Sequence, residues 1–236
     1  MLFFARYTGL LASVGLFLLT IHPPLSAQQR LDVGIHFTPQ TTFVRSDARR
    51  EFREGTLVYT EGGSGVDLGY GFGGYLEYEV LPGLSLRAGI DVSRKRYRYE
   101  VREVRIDGTP STATGTNRVV FMAIEVPVAV IYRFDYLPNN DRFLVGAGGV
   151  AGRWVGDPLL ETDFYEGSSN HPPLAYSPYS LKVFTGYEHY IGSRFLVGIE
   201  PYVSYAPRAT EFRLESRTTA LTDTEAGVTL TLRFDN

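Results

Sequence analysis

Alternation with a period of two constrains this chain more than any other feature. Val66, Leu68, Tyr70, Phe72, Leu76 and Tyr78 alternate with Asp67, Gly69, Gly71, Gly73, Tyr75 and Glu77. Leu84, Leu86, Ala88, Ile90 and Val92 alternate with Ser85, Arg87, Gly89, Asp91 and Ser93. The same pattern recurs in Phe195–Tyr205 and in Val228–Phe234, and more weakly in Leu31–Phe37, Phe143–Ala151 and Tyr179–Tyr190. Val119–Phe134 is apolar on both faces over part of its length. Successive side chains of a strand point to opposite faces, so this pattern builds a sheet with one apolar and one polar face. Eight strands are expected, at about 30–44, 65–80, 84–102, 117–134, 142–154, 178–190, 194–206 and 223–234. The 25 glycines, and 16 tyrosines against one tryptophan, suit strands and turns better than a helical bundle.

The connections alternate in length. Leu81–Gly83, Asp135–Asp141 and Ile191–Ser193 are short, whereas Arg45–Ser64, Glu103–Thr116, Val155–Ser177 and Pro207–Thr222 are long and polar. Short turns at one end and long loops at the other describe an outer-membrane barrel of a Gram-negative bacterium. The fold class expected is therefore all-β: an eight-stranded antiparallel up-and-down transmembrane β-barrel with four long extracellular loops. An even strand number puts both termini at the periplasmic end. The last strand ends near Phe234, an aromatic terminus that barrel-insertion machinery would recognise.

Two features favour a lipid-facing apolar side over a soluble barrel with an apolar interior. The polar face is rich in glycine, at Gly69, Gly71, Gly73, Gly89, Gly146, Gly148, Gly186 and Gly198, as a crowded narrow interior requires. Aromatic residues also cluster where strands would meet headgroups. Tyr78, Tyr132, Phe134, Phe143, Phe195 and Phe234 fall near the periplasmic ends, and Phe43, Trp154, Tyr179 and Tyr205 near the outer ends.

The first 27 residues read as an address. Arg6 is the only charge before Arg30, Leu10–Ile21 is mostly apolar, and Pro23-Pro24 and Leu25-Ser26-Ala27 follow. This is a secretory signal pattern, with removal expected near Ala27. Its apolar run is too short to span a bilayer, which needs about 20 residues. Residues 28–236 are then one barrel domain. A formal net charge of −3 does not suit a nucleic-acid binder, and the absence of cysteine excludes disulfides, thiolate metal sites and thiol catalysis.

An eight-stranded barrel is just wide enough for its side chains to fill it. The polar face carries Asp67, Glu77, Arg87, Asp91, Glu125, Arg133, Arg142, Lys182, Glu188, Arg194, Glu200 and Arg233. Opposed charges in so narrow a lumen should pair, because an isolated buried charge costs several kcal/mol. A structural salt-bridge plug is the expectation, with a gated solute path as the alternative. Pro127 lacks a strand donor and is expected to mark a bulge.

Beyond Val92 the apolar parity flips to Tyr97, Tyr99 and Val101, which suggests a bulge or the end of the membrane zone, followed by a tall hairpin with Arg118–Phe121. Arg94, Lys95, Arg96 and Arg98 could hold lipopolysaccharide phosphates, since arginine grips phosphate bidentately. The plainer account is a strand edge protected by charge.

Catalysis finds little support. His36 and His189 lie in strands with no serine obviously beside them, and Ser168-Ser169-Asn170-His171 reads as loop polarity. A nucleophile needs a base and an orienting third group, and none is identifiable. Gly146–Gly152 has no phosphate-loop ending. No catalytic, cofactor or metal residues are assigned.

The stretch Phe121-Met122-Ala123-Ile124-Glu125-Val126-Pro127-Val128-Ala129-Val130-Ile131-Tyr132-Arg133-Phe134 resembles the central strand of the PorT-like outer-membrane β-barrels. In that family an apolar–Glu–Ile/Val–Pro–apolar core runs to an aromatic–basic–aromatic end. Gly34, the glycine-rich second strand and Pro82-Gly83-Leu84 are similar as well. The resemblance implies a barrel at the cell envelope, and one family member belongs to a protein secretion system. The function expected is a non-enzymatic structural or interaction role at the envelope. Secretion accessory, narrow transport and lipid modification are the alternatives. Partners expected are outer-membrane lipid, lipopolysaccharide and a protein bound by the loops.

Overall fold

The computed structural model describes residues 31–46, 50–54, 57–61, 64–105, 110–134, 141–162, 174–175, 179–192, 195–207, 210–214 and 217–234. The expected signal segment 1–27 lies outside the described residues. The strands are β1 (Leu31–Ser46), β2 (Arg50–Glu54), β3 (Leu57–Glu61), β4 (Ser64–Leu81), β5 (Leu84–Arg105), β6 (Pro110–Phe134), β7 (Arg142–Thr162), β8 (Leu174–Ala175), β9 (Tyr179–Ile191), β10 (Phe195–Tyr205), β11 (Thr210–Leu214) and β12 (Arg217–Phe234).

Eight of them close a barrel. Neighbours run β1-β4-β5-β6-β7-β9-β10-β12, and β12 returns to β1 through pairs from Val33↔Phe234 to Ser46↔Leu221. Every ladder is antiparallel. Each of the eight expected strands is present. Several run further than the alternation indicated: β5 and β6 stay paired up to Val104↔Pro110, making the tall hairpin, and β7 continues to Thr162. Parts of the segments expected as loops are strands as well, since β2 pairs with β3, β3 with β5, and β11 with β12 and β8.

The barrel is polar inside and apolar outside. Leu68, Phe72, Ile90, Leu181 and Val183 are each more than half exposed on the outer face. Glu77, Glu188, Glu200 and Arg233 are at most 2% exposed on the inner one. Among the described residues, outward positions between the Leu31–Phe43, Tyr70–Tyr78, Leu84–Val92 and Met122–Phe134 ends of four strands carry no Asp, Glu, Lys or Arg; the same holds for 143–151, 179–191, 195–205 and 224–234. A soluble monomer rarely exposes an apolar patch beyond a few hundred Å². A belt around the whole circumference needs lipid to cover it. Phe143 and Tyr187, Phe195 and Phe234, and Tyr132 and Phe134 make edge-on ring contacts along its periplasmic border.

Glycine makes room inside for large residues. Three aromatic rings stand directly across the ladder from a glycine: Tyr75 from Gly34, Phe184 from Gly146, and Tyr202 from Gly227. A methyl group on Gly34 would lie 2.3 Å from the Tyr75 ring, and one on Gly146 2.2 Å from the Phe184 ring. The rings fill space that neighbouring side chains would otherwise take, and Ile131, Leu144, Phe184 and Tyr202 form an apolar cluster within the polar lumen.

Three expectations about local geometry are corrected. No bulge occurs at Pro127. The β5–β6 ladder skips from Ala88↔Val128 to Asp91↔Glu125 in unchanged register. The missing donor of proline removes rungs without inserting a residue. Pro39 and Pro201 do the same, at the gaps between Phe37↔Leu230 and Gln40↔Gly227 and between Ile199↔Tyr187 and Tyr202↔Phe184. The irregularity in β6 falls instead between Val120 and Met122, opposite the β7 segment that holds Gly156 at φ +75°. The parity flip after Val92 is likewise no bulge: β5 keeps register with β6 from Asp91 to Arg102. Tyr97 and Tyr99 are buried on the inner face, so the residue types changed sides and the backbone did not. Trp154 pairs with Ala123, which is fully buried, so it faces inward and takes no part in the outer aromatic border.

Candidate functional site

Closure brings together side chains that the sequence scatters. At the periplasmic end, Glu77 of β4 accepts hydrogen bonds from Arg87 Nε at 3.0 Å and Arg233 Nη1 at 2.8 Å, and also pairs with Arg133. Arg133 donates through Nε and Nη2 to both oxygens of Glu188, at 2.8 and 3.0 Å, and through Nη1 to Ser85. Arg87 Nη1 reaches both oxygens of Glu200, at 2.9 and 2.8 Å, and its guanidinium lies 4.5 Å from the Tyr75 ring centre. Arg233 approaches Asp32 at 3.6 Å and Glu188 at 3.5 Å. Seven of the eight barrel strands supply a member: β1, β4, β5, β6, β9, β10 and β12. Below it, Arg142 and Glu79 help line a polar pocket of about 50 Å³.

Higher in the lumen His36 pairs with Asp91 at 2.9 Å and stacks on Tyr75. Lys182 sits 4.0 Å from the centre of the Tyr202 ring, and the Tyr202 hydroxyl donates to Gln40 Oε1. Higher still, Lys95 Nζ lies between Glu125 at 2.8 Å and Glu225 at 2.5 Å, Ser93 donates to Glu125, and Tyr97 donates to Asp223 at 2.8 Å.

The residues assigned to the lumen thus fall at several depths. Glu77, Arg87, Arg133, Glu188, Glu200 and Arg233 form the lower network; Asp91, Lys182 and Glu125 stand above it. Asp67 is higher, bound to Arg118 at 2.7 Å. Arg142 is at the periplasmic rim beside Tyr190. Arg194 lies outside the described residues. Lys95 is a correction. It was grouped with Arg94, Arg96 and Arg98 on the exterior, but its odd position in unbroken alternation turns it inward, where it is 3% exposed. Asp32 lies in the lumen beside Arg233, at the depth of Glu77 and Glu188 that its place in the first strand indicates, whereas His36, Asp223 and Glu225 were missing from the lumen assignment. Extending the alternation of 31–37 and 228–234 outward along the same strands would have found them.

Outside the lumen, Asp141 precedes β7. It accepts a hydrogen bond from the Tyr187 hydroxyl at 2.5 Å and meets His189 Nδ1 at 2.6 Å. Hydrogen bonds from Tyr187 and then His189 hold its carboxyl below the usual aspartate range.

On the exterior, β5 presents Arg94, Arg96 and Arg98 at its even positions, directly above Val92. β5 is bonded to β6 along this segment, to β4 up to Tyr70↔Arg94 and to β3 from Glu61↔Val101. Between those two ladders, residues 95–100 are bonded to β6 alone, so Arg96 and Arg98 stand on a local strand edge.

No family model matches the chain, and no curated protein matches it. Among solved structures it is similar to Neisserial surface protein A, at 13% identity over 86% of this chain and 97% of the other, with a TM-score of 0.44. It is similar also to the outer membrane protein OprG from Pseudomonas aeruginosa, at 10% identity over 88% and 98%, with a TM-score of 0.42. A third is the outer membrane protein AlkL, at 14% identity over 90% and 94%, with a TM-score of 0.36. At such identities and scores these likenesses bear on neither partner nor chemistry.

Proposed function

We propose that the chain is an outer-membrane β-barrel of a Gram-negative envelope, with its lumen closed by side chains, acting without catalysis as a structural or interaction protein through its outer surfaces. The observation that carries the reading is the lower ion-pair network, with members from seven strands converging inside a barrel whose exterior is apolar. Each pair there would have to break for a solute to pass, and parting a buried pair costs about 3–5 kcal/mol. The test is conductance of the purified protein in a planar lipid bilayer: stable openings would overturn the closed lumen. Among the described residues, His36 faces Asp91 and His189 faces Asp141. Mass analysis of envelope lipid with and without the protein tests the non-enzymatic part of the reading. The stretch 121–134, which forms most of β6, supports a second reading: a PorT-like accessory of an envelope secretion assembly. Recovery of secretion components by cross-linked pull-down would favour that one.

A further inference from the structure

The arginines of the outer face are set apart from the lumen charges by direction: Lys95, between Arg94 and Arg96, turns inward to Glu125 and Glu225. Arg94, Arg96 and Arg98 occupy successive outward positions of β5. Beside them on β6 and β7, Arg118 is paired in register with Arg98, and the exposed Arg153 with Ile124.

Depth follows from strand geometry. Arg94 is ten residues above Leu84, the first residue of β5. At ~3.3 Å per residue and a tilt of ~40°, that is about 25 Å along the barrel axis. An outer-membrane apolar band has about the same height. The arginines therefore emerge at the level of the outer headgroups, while Ile90, Val92 and Ile124, all well exposed, lie directly below among the acyl chains. Elsewhere on the circumference Phe43, Tyr179 and Tyr205 face outward, with the exposed Arg45 above Phe43 on β1, so the run of successive outward arginines is that of β5.

Acidic residues stand above the lower two arginines: Glu100 follows Arg98 on the same face of β5, and Glu161 is in register with Arg118, whereas Arg94 and Arg96 have no acidic residue in register. Arg94 stands between Tyr70 and Met122, Arg96 beside Val120, and Arg98 opposite Arg118. Like charges directly across a ladder are destabilising. Asp67 holds Arg118 at 2.7 Å. Among the described residues no ion pair is formed by Arg94, Arg96 or Arg98. Arginine binds phosphate bidentately, and Arg94 to Arg98 spans about 13 Å along the strand, enough for more than one phosphate.

We propose that Arg94, Arg96 and Arg98, with the exposed Arg153 at their flank, form a binding site for a phosphorylated glycolipid of the outer leaflet, its phosphates on the arginines and its acyl chains along Val92 and Ile124. This rests on the membrane reading above. The test uses the full mature protein in detergent with three probes: bis-phosphorylated lipid A, dephosphorylated lipid A and inorganic phosphate. Bound lipid is read by native mass spectrometry. The wild type should bind lipid A, and the R94Q/R96Q/R98Q variant at least tenfold more weakly. Dephosphorylated lipid A should bind the wild type at least tenfold more weakly too. Binding by the variant within twofold of wild type overturns the site, as does equal binding of dephosphorylated lipid. Displacement of lipid A by inorganic phosphate at equal phosphorus would show an adventitious ion site only, and would overturn the lipid assignment. Insertion of both proteins into phosphatidylcholine vesicles is scored separately. Failure there, by the wild type, refutes the membrane reading instead, and failure by the variant alone moves the readout to single R96Q.

Discussion

Glu77→Ala tests the plug at its centre. Glu77 is 2% exposed and serves three guanidiniums. Without it Arg87 keeps Glu200 and Arg133 keeps Glu188, but Arg233 keeps only contacts of 3.5 and 3.6 Å to Glu188 and Asp32. One buried cation is left short of a partner, which costs about 3–5 kcal/mol. With a urea slope of roughly 2 kcal/mol per molar, the unfolding midpoint should fall by about 2 M. Unfolding can be followed in lipid vesicles by the fluorescence of Trp154, the single tryptophan. The companion is Glu77→Leu with Arg233→Met. Replacing a buried pair by apolar residues of similar volume is often neutral, so the double variant should recover at least half of the loss. A single variant within about 1 kcal/mol of wild type, or a double variant no better than the single, would refute the reasoning.

Three further outcomes are expected. Glu125→Ala leaves Lys95 with Glu225 and should cost about 1–2 kcal/mol; Lys95→Met leaves the two glutamates facing each other and should cost about 3–5 kcal/mol. Equal drops in the gel-mobility transition temperature would contradict the shared-lysine geometry. Gly34→Ala drives a methyl group into Tyr75, whereas Gly74→Ala meets nothing nearer than 3.6 Å. The first should lose about 1–3 kcal/mol in urea and the second far less; the reverse order would put Gly34 on the outer face. The carboxyl of Asp141 is held low by Tyr187 and His189, so its contribution is present above the ordinary aspartate range and is lost as pH falls through the folded-state value. Asp141→Asn should therefore be less stable than wild type at neutral pH and equal to it in strong acid. A gap undiminished in acid would trace the effect to something other than ionisation.

Alternation carried most of the architecture, because side-chain direction in a strand is a local property of the backbone. Strand number, the inward glycines and the faces of Leu84–Ser93, Phe195–Tyr205 and Val228–Phe234 could be read directly. Reading failed where residue type and direction parted. Tyr97 and Tyr99 look like outward aromatics but point inward, and Lys95 sits among arginines while facing away from them. Pro127 looked like a bulge because the sequence shows the missing donor but not whether the opposite strand slips.

Which charges meet could not be read at all. Arg87 and Glu200 are 113 residues apart, and Arg233 and Glu77 156. Their contact depends on barrel closure and on the register of every ladder between them. The chain alone sets which residues face the lumen, since that needs only the period of a strand. Only the closed barrel decides that Glu77 serves three arginines and that Lys95 bridges two glutamates. Those facts depend on height and neighbour, which are distances across the barrel rather than along the chain.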